Sequence, residues 1–461
     1  MKKITSLLAF LLFSLIIYPD MFFTDSDHQL EVIKLKGKKK GLTALIFGGI
    51  HGDEPGGYFS SEILSKIKMI KGDLIIVPRV NFPGIMMNKR ELFGDMNRKF
   101  TDFETPNDPD MEVIRILKSL MAEADIFINQ HDAYGFHRER YISVNYNPTR
   151  FGESLIVDTG KFYSKRLKRF INLEEIGKRI IKRVNSQIKN PKFHFCFWNH
   201  NSIAKNTKYK AMKKSATHYA LTTYSIPAFG LETSKDLPTL SHKVKYHLLV
   251  IKEILNEFGF EFVFPSPKII PPVLYWVEFL KNDKDRIRIN SNTNLRLKKG
   301  DRIKITKIYS NYISGLSADI LKWGKLNDIG RKYEFKCNSK RIIIRKNNMV
   351  IGKLNLKPFM KNSIRYIRVK INNKEKKIPN WGVIELNKND LLKIYSVYPE
   401  LNGLRVDFRG FSIKGKRNDQ NLQIKYTDLL KRFSFKKMGK IFFVKIYSET
   451  TLSGGLQVIY N

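Results

Sequence analysis

Between Glu31 and Val263, short apolar runs of strand length alternate with stretches of helical period, and the alternation stops at Pro265, Pro267, Pro271 and Pro272. Glu31–Lys36, Thr43–Phe47, Asp73–Val77, Asp125–Asn129 and Ala228–Leu231 read as strands. Gly56–Ile70, Asp110–Ala124, Leu173–Ile188 and Ser241–Phe258 read as helices; Phe59, Ile63, Ile67 and Ile70 form the inward face of the first. Thr43–Phe47 is almost wholly apolar, as strands buried on both faces are. The pattern predicts an α/β domain with a mainly parallel, mixed sheet flanked by helices.

Beyond the prolines the chain turns β-rich, with strands expected near Arg286–Ile289, Arg302–Tyr309, Arg341–Arg345, Ile364–Ile371, Leu391–Val397 and Ile441–Ile446. A weak repeat runs through this half. Lys299-Gly300-Asp301, Tyr309, Gly315-Leu316 and Asp319 return as Lys388-Asn389-Asp390, Tyr398, Gly403-Leu404 and Asp407. Two small all-β domains, barrel or sandwich, are expected. The expected division is a leader or anchor over 1–20, an α/β domain over 21–263, and β domains over 264–357 and 358–461, the last with an immunoglobulin-like form as one reading. Neither β domain contains a histidine, so histidine chemistry belongs to the α/β domain.

The first buried strand opens into Gly48-Gly49-Ile50-His51-Gly52-Asp53-Glu54. An H-x-x-E pair on one tight loop sets an imidazole and a carboxylate where both can hold one zinc ion. Asp125–Gln130 leads into His131-Asp132, and Pro227–Leu231 leads into Glu232. His51, Glu54, His131 and Glu232 thus follow the carboxyl ends of strands, the edge where open α/β sheets bind ligands. A His₂Glu set with an open fourth position is the catalytic form of a zinc site. Arg90 and Asp95-Met96-Asn97-Arg98 lie between these segments.

With these motifs the chain resembles the zinc metallocarboxypeptidases and their aspartoacylase/succinylglutamate desuccinylase-like relatives, over roughly Leu42 to Phe258. The resemblance implies that His51, Glu54 and His131 bind Zn²⁺, Glu232 is the general base, and Arg90 polarises the scissile carbonyl. It makes Asn97 and Arg98 the clamp on a terminal carboxylate. Asp132 is a candidate to orient a ligand or meet a substrate ammonium, and His218, with Thr217, to line the pocket. Tyr209, Tyr219 and Tyr224 remain open as catalytic tyrosines, and His194, Trp198 and His200 as a cluster on the rim. The narrower resemblance is to periplasmic D,L-carboxypeptidases of helical bacteria, which trim peptidoglycan stem tripeptides to dipeptides. Members of that group can carry glutamine at the first ligand position, where this chain has His51.

Composition fits an exported protein with an anionic partner. There are 83 Lys+Arg against 43 Asp+Glu, a net charge of +40. A charge of that size favours anionic surfaces or polymers. Lys2-Lys3 followed by the apolar run Ile4–Tyr18 reads as a secretion signal or a short anchor. Export weighs against nucleic acid and leaves peptidoglycan stem peptides as substrate, in the periplasm, with membrane or wall association through the basic charge. A monomer is expected. The basic runs Lys38–Lys40, Lys165–Arg169 and Lys374–Lys377 read as solvated faces. Two cysteines, Cys196 and Cys337, make no disulfide framework and no cysteine-based metal site. The alternatives are a small-molecule amidohydrolase on the same metal site and a non-catalytic wall-binding scaffold. Export and the β domains weigh against the first, and the intact polar set against the second.

Overall fold

The computed structural model describes residues 19–336, 338–358, 364–401, 403–413, 416–448 and 451–461. The apolar run Ile4–Tyr18 and Cys337 lie outside the described residues. The chain divides into two compact units. Residues 19–22, 30–81 and 89–269 make one, and 23–29, 82–88 and 270–461 the other.

The first unit is built on β1 (Leu30–Leu35), β2 (Lys39–Phe47), β3 (Lys68–Val77), β4 (Ile126–Ala133), β5 (Ser154–Val157), β6 (Cys196–Asn199) and β7 (Ala228–Ser234). They form a mixed sheet in the order β1-β3-β2-β4-β7-β5-β6, with Asp20–Phe22 beside β1 and Glu261–Val263 beside β3. The central strands β3, β2, β4 and β7 are parallel. Their apolar runs explain why: Ala44–Phe47 and Ile126–Ile128 are fully buried, which requires cover on both faces. That cover comes from α1 (Pro55–Leu64), α2 (Met111–Glu123), α3 (Leu173–Asn185), α4 (Ala216–Tyr224) and α5 (Leu240–Glu257). The fold is an α/β mixed sheet with flanking helices.

Three expected boundaries are corrected. The first helix ends at Leu64, not Ile70, and Lys68 already begins β3. Ile67 and Met69 are buried while Lys68 is exposed, so the chain there has the period of two of a strand. The i, i+4 spacing of Ile63 and Ile67 imitates a helix. The strands bearing His131 and Glu232 run on to Ala133 and Ser234, so both residues lie inside strands and not after them.

Among the described residues the second unit holds two sandwich-forming groups of eight strands each. The first comprises β8 (Leu274–Lys281), β9 (Asp285–Ile289), β10 (Asn294–Leu297), β11 (Arg302–Ser310), β12 (Leu316–Ile320), β13 (Lys332–Glu334), β14 (Lys340–Lys346) and β15 (Met349–Pro358). The second comprises β16 (Tyr366–Ile371), β17 (Lys374–Pro379), β18 (Val383–Leu386), β19 (Leu392–Tyr398), β20 (Leu404–Phe408), β21 (Gln423–Ile424), β22 (Ile441–Ser448) and β23 (Thr451–Tyr460). Sheet orders β9-β8-β11-β13 and β10-β15-β14-β12 recur strand for strand as β17-β16-β19-β21 and β18-β23-β22-β20. Each domain is a sandwich around its own aliphatic core. The weak sequence repeat marks a tied turn used twice. Asn282 Nδ2 donates to Asp301 Oδ1 at 3.0 Å, and Asn372 Nδ2 to Asp390 Oδ1 at 2.6 Å. Among the described residues no helix is long and apolar enough to cross a membrane.

Candidate active site

The loop after β2 turns sharply because Gly49 adopts φ +68°, a region open to glycine. His51 and Glu54 follow, and Pro55 starts α1. Asp132 fixes this corner. Its Oδ2 accepts from Gly56 N at 2.7 Å, and its Oδ1 accepts from Thr233 Oγ1 at 2.7 Å and lies 2.9 Å from His247 Nε2. A side chain at position 56 would collide with that carboxylate. Asp132 is therefore fully occupied away from His131, as alternation along a strand requires. The structure places it at the start of α1, lining the same cleft as His51, Glu54 and His131, with its side-chain hydrogen bonds going to Gly56, Thr233 and His247.

His51, Glu54 and His131 converge and are all buried. His51 Nδ1 lies 2.9 Å from Glu54 Oε1, and His131 Nδ1 lies 3.0 Å from Glu54 Oε2 and 3.2 Å from His51 Nδ1. Tetrahedral zinc with bonds of ~2.0–2.1 Å needs ligand atoms about 3.3–3.4 Å apart, so these three donors fit a metal ion with little movement. Burial alone would push the His51 imidazole down, but Glu54 and Asp95 on either side hold it up at about 9. Burial lowers His131. Burial works against the Glu54 carboxylate, yet His51 and His131 hold it well below the usual range.

Glu232 stands in register with His131 across the β4–β7 ladder. Its Oε2 is buried without a hydrogen-bond partner among the described residues. Burial, and then the charge of Glu54, raise its carboxyl well above the usual range, against the pull of Arg90. Arg90 donates to Glu54 Oε1 at 2.9 Å and reaches Asp95 Oδ2 at 3.4 Å. Asn97 accepts from Ala216 N at 3.0 Å, while its Nδ2 lies 3.5 Å from His131 Nε2. Arg98 is half-buried, donates to Asn97 O at 2.9 Å, and makes no carboxylate ion pair among the described residues.

All of these line one cleft of about 470 Å³ that continues past Gly230 and Ile156 to Asp158, Thr217 and His200. His218 is set behind this wall, with Nδ1 2.7 Å from Ser202 Oγ, which also bonds Asp158. Tyr209 stacks on His200 at 4.4 Å, whereas Tyr224 donates to Lys118 O at 3.0 Å, outside the cleft. Trp198 stacks on His137 at 4.0 Å beside His200, and His194 is turned away toward Ile188 O at 3.0 Å.

Asp95 is the site residue that sequence reasoning quoted but gave no role. Its Oδ1 lies 2.9 Å from His51 Nε2, and it accepts from Asn97 N at 2.9 Å, capping the 3₁₀ turn Met96–Arg98. A carboxylate on the second nitrogen of a ligating histidine fixes its tautomer and strengthens it as a ligand. The available signal was an Asp two residues before Asn97, an ordinary turn cap.

Residues 1–271 match the family model described as "Carboxypeptidase controlling helical cell shape catalytic", and residues 360–461 match "C-terminal domain of metallo-carboxypeptidase". The chain belongs to the family of carboxypeptidases controlling helical cell shape. It is a metallocarboxypeptidase, a hydrolase. It is similar to the apo cell shape determinant protein Csd4 from Helicobacter pylori, with 25% identity, TM-score 0.61, and coverage of 94% of this chain and 100% of that one. The tripeptide-bound form of that protein gives the same values. An mDAP-bound form, described as a D,L-carboxypeptidase, gives 26% identity, TM-score 0.59 and coverage of 93% and 100%. No curated protein matches this chain. The donor atoms of His51, Glu54 and His131 lie close enough together to fit a metal ion.

Proposed function

We propose that this protein is an exported, zinc-dependent D,L-carboxypeptidase of the periplasm. Its reaction is hydrolysis of the D-Glu–meso-diaminopimelate bond in peptidoglycan stem tripeptides, which alters wall structure and cell shape. The observation that carries this reading is a buried His51/Glu54/His131 group whose His131 is in ladder register with Glu232, a carboxyl whose buried Oε2 has no hydrogen-bond partner among the described residues. The family match and the tripeptide-, product- and mDAP-bound forms of the Helicobacter pylori protein support the substrate.

In this reading His51, Glu54 and His131 hold zinc, which when bound supplies a Lewis acid and an acidified water. Glu232 takes a proton from the attacking water and passes it to the leaving amine. Its raised proton affinity makes it a stronger base than an ordinary carboxylate. Arg90 moves from Glu54 toward the scissile carbonyl oxygen as negative charge develops there. Arg98 meets the terminal carboxylate with two parallel donors, and Asn97 fixes the turn that carries it. Asp132 acts through α1, holding Glu54 in place. His218 steadies Asp158, a residue of the cleft lining, through Ser202.

The test is digestion of purified muropeptides followed by mass spectrometry. Tripeptide stems should lose meso-diaminopimelate and leave dipeptide, while tetrapeptide and C-terminally amidated stems persist. Equal cleavage of all three removes the carboxypeptidase specificity. Metal analysis should return one zinc per chain, and His131→Ala should lose both metal and activity.

A further inference from the structure

The two β domains carry the same aromatic pair at equivalent positions. In the first, Trp276 on β8 lies in register with Tyr309 on β11, and the rings stack at 4.5 Å and 16°. In the second, Tyr366 on β16 lies in register with Tyr398 on β19, stacked at 5.1 Å and 13°. Both pairs are on the outer face of their sandwich, because the alternate residues Val277, Phe279, Ile367 and Val369 fill the cores. Both are overlaid by cations. Arg288 covers Trp276 and Tyr309 at 5.8 and 5.5 Å; Lys377 covers Tyr366 at 5.3 Å and Arg365 covers Tyr398 at 5.2 Å.

The fates of the two faces differ. The first is covered by the second domain. Trp276 is 7% exposed and packs with Val383, Ile441 and Ile459, and Arg288 pairs with Glu385 at 2.6 Å. This face therefore works as a docking surface that receives a carboxylate onto a cation beside stacked rings. The copy on the second domain is open, with Tyr398 38% exposed. Along β16, β17 and β19 its outward residues include Arg368, Lys370, Lys377 and Lys393 against the single carboxylate of Glu375.

We propose that this open face docks peptidoglycan itself, a glycan polymer whose stem peptides carry free carboxylates. The flat pair of tyrosines offers an apolar platform with hydroxyl edges, suited to the CH faces of sugar rings. The flanking cations attract and hold the carboxylates. Choosing the wall among anionic polymers rests on the proposed function. A lipid surface fits less well, because the aliphatic residues of these strands point into the core and leave none to insert. A second copy fits less well too. The outer face of β14 and β15 carries Arg341, Lys353 and Lys357, and like charge opposes its seating on Arg368 and Lys377.

The experiment is co-sedimentation of the full chain with purified sacculi, with soluble stem tripeptide turnover as a separate readout. Arg368→Glu, Lys377→Glu and Tyr398→Ser are made singly, so that one unfolded variant does not decide the outcome, and melting is recorded for each. Each charge reversal should weaken sacculus binding about tenfold, and Tyr398→Ser severalfold. Melting and tripeptide turnover should be unchanged. Wild-type retention by folded variants overturns the proposal. So does capture of single-stranded oligonucleotide or phosphatidylglycerol vesicles, but not sacculi, through the same residues. Loss of wild-type tripeptide turnover counts against the proposed activity alone, because docking is read by sedimentation.

Discussion

Glu232 and His131 are direct neighbours in the parallel ladder between β7 and β4. Side chains paired in this way project from the same face of the sheet, on strands ~4.8 Å apart. Backbone hydrogen bonds between two buried strands thus set the separation of the Glu232 carboxyl, the proposed proton acceptor, from the His131 imidazole, a proposed metal ligand. His51 and Glu54 come to the same point from a loop, and that loop is tied down by Asp132 through Gly56 N.

Glu232→Gln keeps the shape of the side chain and removes its capacity to take a proton. Zinc content should be unchanged, and turnover of a stem tripeptide should fall by ~10²-fold or more. Metal analysis and single-turnover kinetics on one preparation check this. Full turnover with zinc retained would assign Glu232 a packing role.

Asp95→Asn preserves an oxygen that can accept from Asn97 N but removes the negative charge beside His51 Nε2. Loss of such a partner weakens metal binding by ~10–100-fold. Chelator competition should show that loss while the thermal melt stays close to wild type. Unaltered affinity would leave Asp95 as a turn cap only.

The parts of this site that could be read from sequence are those that a linear motif carries. His51 and Glu54 are three residues apart on one loop, and His131 and Glu232 each cap an apolar run, so chain position alone placed them on one sheet edge. Asp95 was obscure because its contact with His51 spans 44 residues and its local signature is that of any turn. Asp158 was obscure for a similar reason, since it reaches the cleft only because β5, which precedes it, pairs with β7. Asp132 lines the cleft while its carboxylate also ties Gly56 N, Thr233 and His247, and those ties, spanning 76, 101 and 115 residues, carry no local signature. The end of the first helix was lost because Ile63, Ile67 and Ile70 satisfy a helical spacing while Ile67–Met69 also satisfies that of a strand. In the β half the repeat was visible at Asp301 and Asp390, whose side chains tie equivalent turns, but faint over the strands, where many aliphatic combinations pack equally well.

Glu153 offers a pH test away from the metal site. It is fully buried, Oε1 accepts from Ser234 N at 3.2 Å, and Oε2 has no partner among the described residues. Burial, and next the charge of Asp132, raise its carboxyl well above the usual value. The folded protein therefore holds a proton there that the unfolded chain releases near 4.5. Stability from this group is fully present below that value and is lost as pH rises toward the folded pKa. Glu153→Gln should raise the melting temperature at neutral pH, by on the order of a few degrees, and the difference should vanish toward pH 4. Calorimetry from pH 4 to 8 decides it. A constant difference across that range would mean the carboxyl does not titrate in this way.

Arg98 gives the sharpest test of specificity. It lines the cleft, is half-buried, and spends one donor on Asn97 O at 2.9 Å, so its remaining donors face the cavity without a carboxylate partner among the described residues. Lysine keeps the positive charge but has no planar fork with which to grip two oxygens. Because the terminal carboxylate also sets the scissile bond over the reacting groups, Arg98→Lys should lower kcat/KM on a stem tripeptide by ~10²-fold. On a tripeptide amidated at its C-terminus, wild type should already be poor, and the substitution should add little. The two changes remove one interaction, so their effects should fall far short of adding. The measurement is a four-way cycle of wild type and Arg98→Lys on free and amidated tripeptides, with zinc content monitored. Additive losses would show that Arg98 does not touch the terminal carboxylate, and would move the clamp to another cation of the cleft, with Arg150 the next to test.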